Sequence, residues 1–338
     1  MFFLCKITIL VKRKKRVQSY KKDVKNVFFL TLHQHRHRYC RLWKFSSMGK
    51  LIIITGPTAT GKTGYAIGMA KALRTEIISC DSRQMYREMR IGTAVPTAEE
   101  LAAVQHHFIG HLSIHDYYNV SMFEQQCLQL LEKLFVKYPT VVMTGGSGLY
   151  IDAVCKGIDD FPTVDPEIRK TVTRRFETEG IEYLRRQLKM LDPEHYAKVD
   201  LSNHKRIMKA IEVSLQTGKP YSSFLTDKKQ KRPFDIEKIV LNRPREELFE
   251  RINLRTTTMM NEGLLEEARA LYPYRHLNAL NTVGYKELFA CMDGLHDLNT
   301  AVELIRRNTR RYAKRQLTWF ARDKEMIWKN TDELNFHF

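Results

Sequence analysis

The run GPTATGKT, from Gly56 to Thr63, follows the apolar stretch Leu51 to Ile54 and opens into the amphipathic segment Tyr65 to Leu73. Strand, glycine-rich loop and helix in that order leave few folds open, because the chain must turn tightly at a strand end and pass directly into a helix. Gly56, Pro57, Thr58, Ala59, Thr60 and Gly61 would supply a backbone cradle. Its NH groups converge on one concavity, and the helix adds its positive end to the same spot. Lys62 would bring a point charge to terminal phosphates, and the Thr63 hydroxyl is suited to bind magnesium (Mg2+). The pattern leaves open whether the ligand is a nucleoside triphosphate or a diphosphate.

The rest of the chain extends the same architecture. Strand-like runs Leu51 to Ile54, Glu76 to Cys80 and Thr140 to Thr144 alternate with helical patterns at Gly64 to Leu73 and Met122 to Tyr138. This predicts an α/β fold, a P-loop NTPase-like parallel sheet flanked by helices. From about Phe161 the β-branched runs stop, and the turn signal FPTVDPEIRK introduces charged helical sequence to Thr226. A helical insertion domain over 161–226 is expected. Ile239 to Asn242 reads as a strand returning to a core made of 48–160 and 227–330. Arg245 to Phe320 then reads as successive C-terminal helices, punctuated by Gly263, Pro273, Gly284 and Gly294.

Charge divides the chain unequally. Residues 1–47 hold 13 Lys or Arg against the single acid Asp23, a net +12 that leaves +6 of the total +18 for the remainder. This segment is expected to lie outside the fold, as an extension upstream of Met48, a targeting peptide or a nucleic-acid arm. In the body, positive charge gathers in IRRNTRRYAKRQLTWFARDK, Ile305 to Lys324. On a helix Arg307, Arg311, Lys314 and Thr318 share one face, with Tyr312 and Trp319 interleaved, which suggests contact with a nucleic acid. No apolar run reaches the length of a membrane span. The cysteines Cys5, Cys40, Cys80, Cys127, Cys155 and Cys291 never approach CxxC spacing, so neither a zinc site nor a disulfide framework is expected, and a reducing cytoplasm fits.

Two further glycine or acid turns fall at the predicted ligand edge of the sheet. CDSRQMY, Cys80 to Tyr86, ends the second strand, so Asp81 is a candidate general base or magnesium partner, or a helix-capping aspartate. GGSGLY, Gly145 to Tyr150, ends the third. RINLR puts Arg251 and Arg255 one turn apart, able to fork onto phosphate oxygens or to form surface ion pairs. His106, His107, His111 and His115 lack a metal-ligand spacing.

GPTATGKT, DSRQMY with IGTAVPT (Ile91 to Thr97), GGSGLY, VDPEIR (Val164 to Arg169), HKRIMKAIEV (His204 to Val213), RINLR, NTVGYKE (Asn281 to Glu287) and KRQLTWF (Lys314 to Phe320) together resemble the tRNA dimethylallyltransferases. These are also known as tRNA isopentenyltransferases or the IPP transferase family. The resemblance runs from about Leu51 to Trp328, and the missing C-terminal zinc finger of eukaryotic members suggests the bacterial type. It implies transfer of a dimethylallyl group from dimethylallyl diphosphate to the exocyclic N6 amine of the adenine 3′ of a tRNA anticodon. Gly56 to Thr63, with magnesium held at Thr63, would stabilise the departing diphosphate, and Arg255 would clamp it. Asp81 would accept the amine proton. By the same resemblance Asp81, Ser82, Arg83, Gln84, Ser147 and Arg169 would face the tRNA. So would Lys205, Arg206, Lys209, Asn281, Gly284, Tyr285, Lys286, Lys314, Arg315, Gln316 and Trp319. Ser147 stands where relatives commonly carry threonine, but a hydroxyl is retained. A cytoplasmic monomer acting on the anticodon stem-loop is expected. The rival readings are a P-loop kinase of a small metabolite, an enzyme that prenylates free adenylate, and an RNA-binding ATPase.

Overall fold

A computed structural model describes residues 49–159, 161–226 and 230–331. Segment 1–47 and the readings attached to it lie outside the described residues.

Strand β1, Lys50–Thr55, is buried from Leu51 onward on nearly every residue, as a central parallel strand covered on both faces must be. With β2 (Ile77–Ser79), β3 (His106–His107), β4 (Thr140–Thr144), β5 (Asp235–Asn242) and β6 (Met326–Asn330) it forms one sheet in the order β3-β2-β4-β1-β5-β6. Every pairing is parallel, so the α/β sheet read from the sequence is the fold observed. Alternation sends neighbouring side chains to opposite faces. Ile53, Val141 and Val240 join a core with Phe123, Leu131 and Phe320. Ile54, Val142, Ile239 and Leu241 pack instead on Tyr65, Ala66 and Ile67. Helix α1 (Lys62–Leu73) therefore covers one face. The other carries α3 (Val120–Lys137), α4 (Gly148–Lys156) and the end of α11 (Leu298–Phe320).

Between β2 and α3 lie a short helix α2 (Ala98–Ala103), closed by a Thr97–Glu100 capping box, and β3. Segment 161–226 is helical: α5 (Pro166–Leu191), α6 (Pro193–Lys198) and α7 (His204–Thr217). Asp165 accepts from the Glu167 NH and Pro166 occupies the first turn, so VDPEIR is a helix start. Gly180, at φ 72°, breaks α5 internally. Val172, Leu184, Leu188, Ile207, Ala210 and Ile211 form a cluster drawn only from these helices. Helices α8 (Arg245–Asn261), α9 (Leu264–Leu271) and α10 (Tyr285–Met292) precede α11. A separate core of Met89, Leu264, Leu280, Tyr285, Leu288 and Ile305 joins α9, α10 and α11 to the loop after β2.

Two strands escape the sequence pattern. β3 is two residues long, and β6 is an edge strand with Ile327 and Trp328 exposed, so neither alternates. β5 begins at Asp235, earlier than Ile239, because its first half carries charges that are paired. Lys50 meets Glu237 at 2.5 Å, and buried Lys238 meets Asp323 at 2.8 Å and Glu325 at 2.7 Å. Lys156 reaches the same Asp323 at 2.9 Å. Burial opposes the Asp323 charge, yet hydrogen bonds from Lys238 and Lys156 hold its carboxyl well below the usual range.

Candidate active site

Strands β2, β4 and β1 are neighbours, and their registers align Ile54 with Thr144 and Thr144 with Ser79. Their three C-terminal turns therefore open onto one edge of the sheet. Thr55 Oγ1 donates to the Gly145 carbonyl at 2.8 Å, and Thr144 Oγ1 to the Ile54 carbonyl at 3.1 Å, which locks the first turn to the third.

The Gly56–Thr63 loop fits against β5 only because Gly56 has no side chain: a Cβ there would collide with the Leu241 carbonyl oxygen. Gly61 caps α1 in a left-handed conformation at φ 94°. Lys62 Nζ donates to the Pro57 carbonyl at 2.8 Å, and Thr60 Oγ1 donates to the same oxygen at 2.9 Å. Burial, reinforced by the Arg255 charge, lowers the Lys62 ammonium to about 8, while Asp81 and Cys80 pull the other way. Thr63, in the first turn of α1, has no hydrogen-bond partner for its hydroxyl among the described residues.

Helix α8 lies along this loop. Arg255 Nη1 donates to Thr58 Oγ1 at 3.1 Å and Arg251 Nε to the Ala59 carbonyl at 2.8 Å. Arg243 Nε, just ahead of the helix, donates to the Thr60 carbonyl at 3.1 Å. Burial and the adjacent Arg251 lower the Arg255 guanidinium. Both arginines of RINLR thus meet the loop, and Arg243 is a contributor that no motif in the sequence marked.

Asp81 caps its own turn with one carboxylate oxygen. Its Oδ1 accepts from the NH of Arg83 at 2.9 Å and of Gln84 at 3.4 Å, as a capping aspartate does. Its other oxygen has no hydrogen-bond partner among the described residues. Beside it, Ser147 Oγ accepts from the Ser82 NH at 2.9 Å and donates to Ser82 Oγ at 3.1 Å. Arg83 Nη1 is tied to the Asn278 and Ala279 carbonyls at 3.0 and 3.1 Å. Gln84 Nε2 is tied to those of Thr93 and Ala94 at 3.2 and 2.8 Å. Tyr312 and Tyr150 complete the wall. Burial raises both phenols, Tyr150 to about 12, and the charges of Asp81 and Arg83 act on each. The helical pattern presented Tyr312 as an interleaved ring without connecting it to Asp81.

Several residues read as tRNA contacts are engaged inside the protein. Gln316 is 5% exposed. Its Oε1 accepts from the Thr58 NH and its Nε2 donates to the Gly146 carbonyl, both at 2.9 Å. It bridges the two glycine turns, and a Cβ on Gly146 would collide with it. Tyr285 is fully buried and donates to Glu267 at 2.6 Å, and Gly284 is the buried cap of α10. These three are corrected from RNA-facing to internal positions, because each lies in a core or bridges two loops. Trp319 is half-buried, donating to Asp152 at 3.0 Å, with Arg322 over its ring at 4.0 Å. Arg169 pairs with Glu212 at 3.3 Å, and Lys209 lies over Phe161 at 5.6 Å. Lys205, Arg206, Asn281, Lys286, Lys314 and Arg315 are exposed. Among the histidines, His107 meets Glu76 at 2.5 Å. No group of three His, Cys, Asp or Glu among the described residues could hold a metal. No described helix is long and apolar enough to cross a membrane.

A glycine cradle, a lysine, two arginines and a carboxylate at one edge of a parallel sheet define an α/β protein of the P-loop-like class, suited to a polyphosphate-bearing ligand. Residues 84–323 match the model of the IPP transferase family. The chain is 55% identical to tRNA dimethylallyltransferase 2 of Parabacteroides distasonis over 286 residues, 85% of this chain and 96% of that one. The crystal structure of full-length tRNA isopentenylpyrophosphate transferase from Bacillus halodurans is 35% identical, with a TM-score of 0.60, covering 83% of this chain and 89% of that one. A eukaryotic dimethylallyltransferase acting on tRNA, 24% identical, shares the fold at a TM-score of 0.71 over 83% of this chain and 74% of that one. The chain belongs to the IPP transferase family.

Proposed function

We propose that the chain transfers a dimethylallyl group from dimethylallyl diphosphate to the N6 amine of the adenine 3′ of a tRNA anticodon, releasing diphosphate. The observation that carries this is an Asp81 carboxylate oxygen without a partner among the described residues, on a turn at the same sheet edge as the Gly56–Thr63 loop, in a chain of this family. Breaking the allylic carbon–oxygen bond sends an electron pair to the diphosphate and leaves positive charge on carbon. Loop NH groups, Lys62 and Arg255 stabilise the leaving charge. The N6 nitrogen attacks that carbon, and its proton, made acidic by the new bond, passes to the second Asp81 oxygen.

The donor set fits magnesium. This ion holds several waters and takes one or two protein oxygens plus substrate phosphates, and the Thr63 hydroxyl, without a hydrogen-bond partner among the described residues, is such a group. Thr63 would hold it, and the ion would supply charge neutralisation to the phosphates.

The target adenine has to leave the anticodon stack to reach Asp81. Ser82, Arg83, Gln84, Ser147 and Tyr312 would surround it. Arg169, Lys205, Arg206, Lys209, Asn281, Lys286, Lys314 and Arg315 would grip the stem-loop, by shape and phosphate contact. A cytoplasmic monomer fits this role. The test is incubation of the protein with labelled dimethylallyl diphosphate, ATP, AMP and unmodified tRNA. Label on tRNA is the expected result; label on AMP instead, or phosphoryl transfer from ATP, overturns it.

A further inference from the structure

Helix α11 presents two functional faces. Tyr312, Gln316 and Trp319 point toward Asp81 and the glycine turns. Arg307, Arg311, Lys314 and Leu317, on the opposite side by helical periodicity, line a half-open cavity of about 720 Å³ bordered by Arg245 and Phe249 of α8. No residue of the Gly56–Thr63 loop lines it, and Asp81 and Ser147 do not either. The volume lies within the range of small-molecule sites, and the composition is that of a site for an amphiphilic anion. Arg245 sits over the Phe249 ring at 5.2 Å, and Leu317 extends the apolar floor. Arg307 and Arg311 are one turn apart, a like-charge spacing that disfavours a helix. Among the described residues none of Arg245, Arg307, Arg311 and Lys314 has a carboxylate within ion-pairing distance. Four exposed cations border one half-open, apolar-floored groove, none with a carboxylate partner among the described residues, and are placed to meet an external anion.

We propose that this cavity is a second ligand site, separate from the loop, that binds an organic phosphate or diphosphate with a compact apolar or planar body. The phosphoryl groups meet Arg245, Arg307 and Arg311, and the body rests on Phe249 and Leu317. A bare phosphodiester backbone would need the cations but not the floor. Two sources share the chemistry, a nucleotide and an allylic diphosphate.

Calorimetric titration distinguishes them. The probes are ADP, the unreactive dimethylallyl thiodiphosphate and inorganic diphosphate, against the full chain and its Lys62→Met variant, in which the loop is silenced. One binding event persists in Lys62→Met for ADP or for the thiodiphosphate, and the probe that binds names the source. Inorganic diphosphate, which has no body, binds at least tenfold more weakly. Arg307→Ala with Arg311→Ala, two exposed side chains whose loss circular dichroism can show to leave the fold intact, weakens that event at least tenfold. Loss of all binding in Lys62→Met overturns the proposal, as does binding unaffected by the arginine changes. If the arginine variant loses only tRNA affinity while neither small probe binds Lys62→Met, the cations belong to the RNA and the second site does not exist.

Discussion

Lys62 carries a charge that its burial and the neighbouring Arg255 disfavour. Its ammonium titrates near 8 in the folded chain against an ordinary 10.5. The unfolded chain therefore binds this proton more tightly. Below pH 8 the folded state bears the whole penalty, up to about 3 kcal/mol, and the penalty fades as pH rises from 8 toward 10.5. A bound diphosphate supplies the missing counter-charge. Two outcomes are expected of Lys62→Met. At pH 7 the ligand-free protein melts several degrees higher than wild type, and inorganic diphosphate at a concentration that saturates the wild-type loop no longer raises the melting temperature. In wild type, diphosphate affinity falls as pH climbs above 8, when binding must recruit a proton. A variant that melts lower, or responds to that concentration of inorganic diphosphate as wild type does, contradicts this account. Asp81 supports a sharper test, since one of its oxygens caps Arg83 and Gln84 while the other has no partner among the described residues. Asp81→Asn keeps the capping oxygen and loses the base, so kcat should drop by about 10²- to 10⁴-fold with tRNA affinity held within about twofold. Turnover near wild type would remove Asp81 from proton transfer.

Among the elements, α11 does the most joining, and Gln316 is its pivotal residue. Gln316→Leu leaves the Thr58 NH and the Gly146 carbonyl without their partner, at about 1–3 kcal/mol each. The urea midpoint and kcat should both fall while tRNA affinity barely moves. Weakened tRNA binding with unchanged stability would return Gln316 to the RNA surface. The KRQLTWF block was visible in the sequence, but the inward turn of Gln316 was not, because a glutamine between basic residues reads as polar surface until its helix is docked. Strands β1 and β4 were legible because burial on both faces demands continuous apolar runs. The first half of β5 was not, since Lys238 interrupts the run and is tolerated only through Asp323 and Glu325, more than eighty residues away. Likewise β6 exposes Ile327 and Trp328 as an edge strand and has no alternation to read. The glycine turns, Asp81 and the RINLR arginines could be found because their chemistry is local, whereas Tyr312 and Arg243 join the site through the packing of α11 and of the segment ahead of α8.

Across the whole molecule, recognition of the two substrates is spatially divided, and ionic strength should separate them. The loop that would hold the diphosphate is recessed among paired backbone groups, while Lys205, Arg206, Lys286, Lys314 and Arg315 are exposed. Charges open to solvent act on a polyanion by releasing its counterions, which makes affinity fall steeply with salt. Replacing Lys314 and Arg315 by alanine should lower the slope of log affinity for tRNA against log salt by roughly 1 to 2, with the diphosphate response of the melting temperature preserved. The helices of 161–226 have a core of their own, so the same separation can be made by packing. Leu184→Ala, opening a cavity in that fully buried cluster, should cost about 2–5 kcal/mol there. If those helices grip the stem-loop, tRNA affinity drops while diphosphate still stabilises the sheet. Equal loss of both responses would mean that the helices and the sheet unfold together, and the division of labour between them would not stand.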